Sequence, residues 1–349
     1  MTPRVKKWLT WTGYPLAYIC LLACFARVTF PFDRLRDRIV GDFNSHQLPA
    51  SRLQIGDMSG YWLSGIEAEK VEITQAAKAK SGGTDVEAKP KSITIDSAHV
   101  SLSILRLLLG TVTVSFGAEA FGGNVSGTVG NGAGEQAFDI QLDRLNAAQM
   151  PVLEDLVGLP MKGTLDGQTD LVLTDRKWSK SEGKIGLSII GLKVGDGKAK
   201  VLNAIALPEV SAGKVELSAT VTAGRLKIEK VTAKGTDLDL GVEGGLRLRD
   251  PVGTSMLDLT LRFRFSDAYR NKNDMTRALL GAPGSKSPGL FELTPQVQRS
   301  KRADGYYGWR IVGTLDHPVF EPSSAVGSPG ASARSVGATP GANAPPPAP

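Results

Sequence analysis

Apolar and polar side chains alternate strictly through two neighbouring segments near residue 250. In residues 256–265 the apolar positions are Leu257, Leu259, Leu261, Phe263 and Phe265. In residues 238–248 they are Leu238, Leu240, Val242, Leu246 and Leu248. Successive side chains of a strand point to opposite faces, and the intervening Asp250-Pro251-Val252-Gly253 has turn chemistry. Residues 236–265 are therefore predicted to form a β-hairpin with one apolar and one charged face, at the centre of one long sheet.

The same alternation, separated by glycine-rich turns, recurs along most of the chain. Internal glycines at Gly163 and Gly167, and a parity shift between Ile189 and Leu192, indicate bulges or bends. Further strands are predicted over Arg52–Met58, Ile66–Ile73, Ser92–Ser101, Thr111–Phe116, Ala137–Leu142, Met161–Thr174, Lys184–Val194, Val201–Val210, Lys214–Thr222, Arg225–Lys234 and Tyr306–Leu315.

A few segments have helical spacing or helix boundary signals instead. Helices are predicted over Phe32–Phe43, over Ser103–Leu109 before Gly110, over Asn146–Val157 (with a start at Pro151 as the alternative), and over Asp267–Leu280 after the N-cap Ser266. Residues 284–301 are predicted to be mostly loop. If the helices at 103–109 and 267–280 cover the hairpin's apolar face, that face is a core; if they leave it open, it is a groove of lipid size.

The N-terminal segment is predicted to be a membrane anchor. Residues Trp8–Ala26 form a run of about 19 mostly apolar residues, close to the ~20 that cross a bilayer as a helix. Basic residues flank both ends of this run, so the charges do not decide its orientation. The body is expected in the periplasm because it looks like an envelope domain, a resemblance given below. Leu21-Leu22-Ala23-Cys24 leaves open a lipoprotein signal with Cys24 as the lipidated residue, whereas the poor small-residue spacing of Ala23 and Ala26 disfavours a cleaved secretory signal.

Composition fits a chain of many strands joined by tight turns, with 40 glycines in 349 residues. The fold class predicted is mainly β: an N-terminal transmembrane helix, then a long, curved, mostly antiparallel sheet with a few short helices, then a disordered tail. The predicted domains are an anchor at 1–31, a β-rich periplasmic domain at 32–320, and a tail rich in Pro, Ala and Gly at 321–349.

Charge and motifs give no catalytic or nucleic-acid signal. The net charge of +6 is spread along the chain rather than clustered beside aromatic residues, so no nucleic acid is expected as a partner. Both cysteines, Cys20 and Cys24, precede the body, and His46, His99 and His317 are isolated from one another. The glycine-rich Gly130–Gly134 lacks the spacing of a phosphate-binding loop. We therefore predict a protein that is not an enzyme and has no catalytic, metal or cofactor site.

Several segments resemble known envelope families. Ser92–Gly127, which ends in Phe-Gly-Gly-Asn-Val-Ser-Gly, and Leu159–Leu173 resemble the repeating β-units of AsmA-like proteins. Phe30–Arg38, Met58–Ile66 and Tyr307–Leu315, together with the Tyr-Pro-Leu at Tyr14, resemble type II secretion system protein N (GspN-type) over roughly residues 10–320. This resemblance implies a single-pass inner-membrane protein with an AsmA-like periplasmic β-domain, in a Gram-negative envelope.

Two functions follow as expectations from that resemblance. The first is a non-enzymatic accessory role in type II protein secretion, in which an edge strand or the tail contacts other components of the secretion system. The second is AsmA-like lipid binding or lipid transfer along an apolar groove of the curved sheet, with lipid as the partner.

Overall fold

A computed structural model describes residues 13–14, 17–18, 21–22, 25, 27–47, 51–62, 64–75, 91–132, 134–151, 153, 159–197, 200–201, 205–206, 208–285 and 287–324. Its main feature is one 14-stranded sheet in which each strand pairs with the next along the chain. Every strand pairing between described residues is antiparallel. The predicted mainly β architecture, with a single long antiparallel sheet and few short helices, is confirmed.

The strands occupy most of the described chain. Their bounds are β1 Ser51–Tyr61, β2 Gly65–Gln75, β3 Lys91–Leu102, β4 Val112–Ala120, β5 Gly123–Asn131, β6 Glu135–Asn146, β7 Met161–Thr174, β8 Ser181–Val194, β9 Lys200–Val201, β10 Ile205–Ala206, β11 Val210–Thr222, β12 Arg225–Lys234, β13 Leu238–Arg247, β14 Met256–Phe265, β15 Tyr307–Thr314 and β16 Pro318–Pro322. Only β9 and β10 lie outside the large sheet, as a separate pair. The strand predicted over Val201–Val210 is therefore wrong, since that segment contains most of this small hairpin.

The predicted hairpin at 236–265 is present as β13 and β14, paired from Leu238 and Phe265 to Arg247 and Met256. It is not at the centre of the sheet, because its strands are the eleventh and twelfth of the fourteen in sheet order. The predicted irregularities are confirmed in β7, where the register shifts beside Gly163, and in the pairing of β8 with β11.

The helices are short, and several differ from prediction. Their bounds are α1 Phe32–Gln47, α2 Ile104–Leu108, α3 Asp267–Arg270, α4 Asp274–Leu280 and α5 Pro295–Ser300, with 3₁₀ turns at Ala147–Gln149, Trp178–Lys180, Val252–Thr254 and Leu290–Leu293. The helix predicted at 267–280 is two helices, because Asn273 and Thr276 form a capping box that starts a second one.

Two further helix and loop predictions are corrected by local geometry. Asn146 caps a 3₁₀ turn, accepting a hydrogen bond from the Ala148 amide at 3.0 Å, rather than starting a helix there. Pro151 and Leu153 are helical, in agreement with the alternative start, and residues 152 and 154–158 lie outside the described residues. The segment 284–301, predicted as loop, contains α5, which begins with Pro295 at its first turn.

At the two termini the structure describes part of what the sequence predicts. Most of Trp8–Ala26 lies outside the described residues, and those described between 13 and 29 are helical. No helix within the described ranges is both long enough and apolar enough to cross a bilayer. At the other end, β16 extends two residues into the predicted tail, whose residues 325–349 lie outside the described part.

Candidate functional site: one apolar face across the sheet

One face of the sheet is apolar from the first strand to the last. The register lets each row of side chains be followed across the strands. Leu142 on β6 pairs with Gly167 on β7, which pairs with Leu187 on β8, and Leu187 pairs with Leu217 on β11. Leu217 then pairs with Val231 on β12. Such rows continue to β16, where Ile311 pairs with Phe320. We call this surface the apolar face.

Bulges keep the apolar face continuous where the alternation along a strand breaks. On β6, Leu142 and Leu145 have opposite parity, yet a register shift between them brings both to the apolar face, opposite Gly167 and Leu165 on β7. On β8, Ile189 and Leu192 are brought to the same face in this way, and both pack in one cluster with Ala212 and Ala233. An extra residue in one strand rotates the following side chains to the other face.

The middle of the apolar face is only half-buried. Half-buried side chains on it are Val125, Val129, Phe138, Ile140, Leu142, Ile185, Leu187, Ile189, Val215, Leu217, Ile228, Leu259, Leu261, Trp309 and Ile311. A side chain in a closed core is fully enclosed by several neighbours. This face therefore has the exposure of an open surface rather than of a sandwich interior.

The apolar face is closed at one border by the segment between β14 and β15. Tyr269, Leu279 and Leu280 of this segment are buried against Val210, with Phe265 packed beside them. The Tyr269 hydroxyl donates to the Pro208 carbonyl at 2.7 Å, and burial raises its pKa. Of the two alternatives for the hairpin's apolar face, covering by residues 267–280 therefore occurs at one end of its strands, where Phe265 packs against Tyr269.

A buried ionic cluster fixes that segment onto β15. Tyr307, fully buried, donates a hydrogen bond from its hydroxyl to Glu292 at 2.6 Å. Lys301 binds both oxygens of the same carboxylate, at 2.8 and 2.9 Å. Burial opposes ionisation of Glu292, but the hydrogen bonds from Lys301 and Tyr307 outweigh it and lower the pKa of Glu292. No sequence motif signals this cluster, because its members come from three separate elements.

At the opposite border, the β7–β8 connection lies over the strand ends. Trp178 stacks on Phe138, with ring centroids 6.3 Å apart, and packs against a buried cluster that includes Leu171 and Val221. Asp250, from the β13–β14 connection, accepts hydrogen bonds from the Trp178 amide at 2.7 Å and the Ser179 hydroxyl at 2.6 Å. These hydrogen bonds, above all the one from the Ser179 hydroxyl, lower the pKa of Asp250.

The other face of the sheet is polar and carries cross-strand charge pairs. Glu216 lies between Lys214 and Lys230, whose ammonium groups are 2.6 and 2.7 Å from its carboxylate. These hydrogen bonds, Lys214 first, lower the pKa of Glu216 to about 2. Cross-strand charge pairing also occurs in the hairpin, where Asp239 on β13 lies 3.9 Å from Arg264 on β14.

Each edge of the sheet has a feature that hinders pairing with another strand. At β1, Asn44 of α1 satisfies both backbone groups of Leu53, accepting from its amide at 2.8 Å and donating to its carbonyl at 3.1 Å. At β16, the Ser323 amide donates to the Gly308 carbonyl on β15. The backbone groups of residues 318, 320 and 322, which alternate with it, therefore point away from β15. Two of these outward residues are Pro318 and Pro322, which have no amide hydrogen.

The residues considered for metal or phosphate chemistry are not assembled. His46 lies on α1, His99 stacks on Tyr61 in the first strands, and His317 lies in the β15–β16 turn. Within the described ranges no three His, Cys, Asp or Glu side chains are grouped as metal ligands. Gly130–Gly134 connects β5 to β6.

Comparison of the chain with protein-family models found no match. Neither the curated proteins nor the solved structures include a match to it.

Proposed function

We propose that this chain is a non-enzymatic accessory component of the type II protein secretion system, anchored in the inner membrane, with its β-rich domain in the periplasm. The observation that carries the proposal is where the segments with GspN-type resemblance fall. Met58–Ile66 forms the tip of the β1–β2 hairpin and Tyr307–Leu315 covers β15, near opposite edges of one sheet. Of the two segments with AsmA-like resemblance, Ser92–Gly127 includes β4 and Leu159–Leu173 includes most of β7.

Because both edges hinder the addition of a strand, the faces of the sheet are the better candidates for contact with other proteins. Partner strands add to sheets through unpaired backbone groups. Asn44 occupies those of Leu53 on β1, and the prolines of β16 lack an amide hydrogen. Contact with other secretion components is therefore proposed to use a face of the sheet rather than an added strand.

The test of the secretion role is deletion of the gene in its own organism, with the secreted and periplasmic amounts of a type II substrate measured. Loss of secretion with periplasmic accumulation, restored by the wild-type chain, is the expected result. Unchanged secretion together with an altered distribution of membrane lipids would contradict it.

A matched pair of variants then identifies the face that acts. Leu187 and Ser188 are adjacent on β8 and point to opposite faces, near the middle of the sheet. If the apolar face is the contact surface, Leu187→Asn fails to restore secretion while Ser188→Asn restores it. Circular dichroism of both purified variants confirms that each remains folded. Equal restoration by the two variants would exclude the apolar face from the secretion role.

Lipid binding along the apolar face is the second candidate, and a specific observation favours it. The half-buried side chains continue over many strands without a covering layer among the described residues. An acyl chain on this face would remove apolar area from water at roughly 25 cal/mol per Å². A continuous surface of this kind fits an extended chain better than a compact ligand.

Native mass spectrometry of the full chain, released from mild detergent, tests the lipid candidate. Co-purified phospholipid that is retained by Ser188→Asn and lost from Leu187→Asn supports binding along the apolar face. Wild-type protein without bound lipid under the same conditions would reject it, and leaves the secretion result to stand on its own.

A further inference from the structure

One end of the sheet collects the connections of alternate strand pairs. It contains the turn after β1, the α2 connection between β3 and β4, and the turns after β5, β7, β11, β13 and β15. The pairing of Gly65 with Ser101 and of Val112 with Asn131 places the first three connections side by side. We call this surface the α2 end.

The α2 end displays large apolar side chains to solvent. Leu105, Leu108 and Leu109 are between 73% and 79% exposed. Their spacing of three and four residues places them on one side of the helical turn. Ile104 and Leu107, on another side, are 46% and 45% exposed. We call Leu105, Leu108 and Leu109 the leucine tip. The two sides of α2 therefore differ: one is partly covered by the rest of the protein, and the leucine tip is the side that faces solvent.

Hydrogen bonds hold the leucine tip in this exposed position. The Thr111 amide donates to the Arg106 carbonyl at 2.9 Å, and the Ser103 amide donates to the Thr113 carbonyl at 2.9 Å. The Arg106 guanidinium also reaches the Thr113 hydroxyl at 3.4 Å. These bonds close the connection onto β4, so the leucines are not positioned to fold back onto the apolar face.

An exposed aromatic residue lies in the turn that neighbours the α2 connection. Trp62, in the turn after β1, is 77% exposed. In the same turn, the Ser64 hydroxyl donates to the Leu102 carbonyl at 2.6 Å, which joins this turn to the α2 connection. Tryptophan with leucine on a polar background is the side-chain set of membrane–water interfaces.

The helical residues that precede α1 meet the α2 end at the same turn. Arg27 donates to the Trp62 carbonyl at 2.9 Å. Described residues just before it, among them Tyr18, Leu21 and Phe25, are helical and exposed. The N-terminal segment, with these exposed apolar side chains, therefore meets the sheet at the turn that contains Trp62.

Two arginines lie farther along the same end, with no acidic partner in the part of the chain that the structure describes. Arg225 on β12 is directly opposite Arg247 on β13, and both are exposed. Like charges opposite one another on paired strands are unfavourable. Neither forms an ion pair with any described residue. An anionic surface against this end would relieve the repulsion.

We propose that the α2 end docks onto the surface of an anionic lipid bilayer. The leucine tip and Trp62 enter the interfacial layer, and Arg225 and Arg247 contact the phosphate groups of the lipids. This orientation would stand the strands upright on the membrane, with the apolar face opening along the direction away from it. The proposal requires neither the secretion role nor lipid bound along the apolar face.

The test uses the full chain with Cys20→Ser and Cys24→Ser, carrying one new cysteine labelled with a polarity-sensitive fluorophore. Leu108→Cys places the label in the leucine tip. Ala148→Cys is the matched control, exposed in the connection after β6 at the opposite end of the sheet. The protein is reconstituted into vesicles of phosphatidylethanolamine and phosphatidylglycerol that contain a lipid with a quencher near the headgroup end of its acyl chain.

The expected result is a blue-shifted label at position 108 with about half of its emission quenched, against little quenching at position 148. Adding Leu105→Asp to the chain labelled at 108 should return the quenching to the level of the control. A label at 108 that is unquenched overturns the proposal. A blue shift without quenching also overturns it, since the leucine tip would then be covered by protein, such as a second copy of the chain.

The arginine part is tested by replacing phosphatidylglycerol with phosphatidylcholine. Quenching at position 108 should fall in neutral vesicles for the parent chain. The double variant Arg225→Gln with Arg247→Gln should give the same, weaker quenching in both vesicle types. Arg262→Gln, a change in a cation that already pairs with Glu243, is the control that keeps the lipid dependence. A double variant with the parent's lipid dependence would remove the two arginines from the docking surface.

Discussion

Tyr307→Phe tests whether the buried cluster around Glu292 holds the segment between β14 and β15 onto the sheet. The substitution removes one hydroxyl and leaves the ring, which packs on Phe263 and Phe291 with centroids 5.5 Å apart in both cases. No cavity of side-chain size results, so the change isolates the hydrogen bond to Glu292. Hydrogen bonds to charged groups contribute roughly 1.5–3 kcal/mol, and we expect a loss of about 2 kcal/mol in the free energy of unfolding at pH 7.

The pH dependence of this loss follows from the lowered pKa of Glu292. A carboxyl whose pKa is lower in the folded state stabilises the protein above its unfolded pKa, and that contribution is lost as the pH falls through the folded pKa. The hydroxyl of Tyr307 helps to lower this pKa, so the difference between wild type and variant should shrink as the pH falls below about 4.5. Urea unfolding followed by circular dichroism at pH 7 and under acidic conditions measures both values.

Tyr306→Phe is the matched control, because the neighbouring Tyr306 donates to Asp239 on the half-exposed surface. Its expected loss is below about 1 kcal/mol, as for solvent-accessible polar contacts. A Tyr307→Phe loss no larger than that of the control, or one that does not change with pH, would refute the argument from a buried charged acceptor.

Other substitutions test the edge, the polar face and the turns. Asn44→Ala removes both hydrogen bonds of Asn44 to the Leu53 backbone on β1. We expect about 1–2 kcal/mol of lost stability and faster amide exchange in β1. The control Ser45→Ala should change neither the stability nor the exchange. Lys230→Ala should raise the pKa of Glu216 from about 2, measured by NMR titration of the carboxyl; an unchanged pKa would show that Lys230 is not its partner. Asp250→Ala should speed amide exchange in the β7–β8 turn, since two amides there lose their acceptor; unchanged protection would contradict the assigned bonds.

Strand positions followed closely from the sequence, because alternation with a period of two is a local property of each segment. β7, β12 and the hairpin of β13 and β14 lie where the pattern predicts them. Short helices followed less well, since their limits depend on one or two capping groups. Asn273 and Pro295 are such signals, one interrupting the predicted helix and the other starting a helix within a predicted loop. β16 escaped detection because two prolines in five residues argue against a strand unless it is an edge.

The candidate surfaces could also be predicted only in part from the sequence. Each strand's contribution to the apolar face could be predicted, whereas the continuity of that face depends on register and bulges. The leucines of α2 were predicted to form a helix, and one expectation placed them against the hairpin as core. The structure instead places α2 at the end of β3 and β4, far along the sheet from β13 and β14. The Glu292 cluster and the protected edges arise from contacts between distant segments, for which sequence spacing gives no signal.

By itself the sequence determined that this protein is built from amphipathic strands with one apolar side, because side-chain alternation fixes the faces of a strand without reference to its neighbours. The tertiary structure decided that fourteen such strands pair in chain order, so that their apolar sides merge into one surface with buried clusters toward its borders. It also decided which apolar residues remain in contact with solvent, the middle of the apolar face and the leucine tip. Burial depends on what packs above a residue, and the polarity pattern of a single segment does not contain that information.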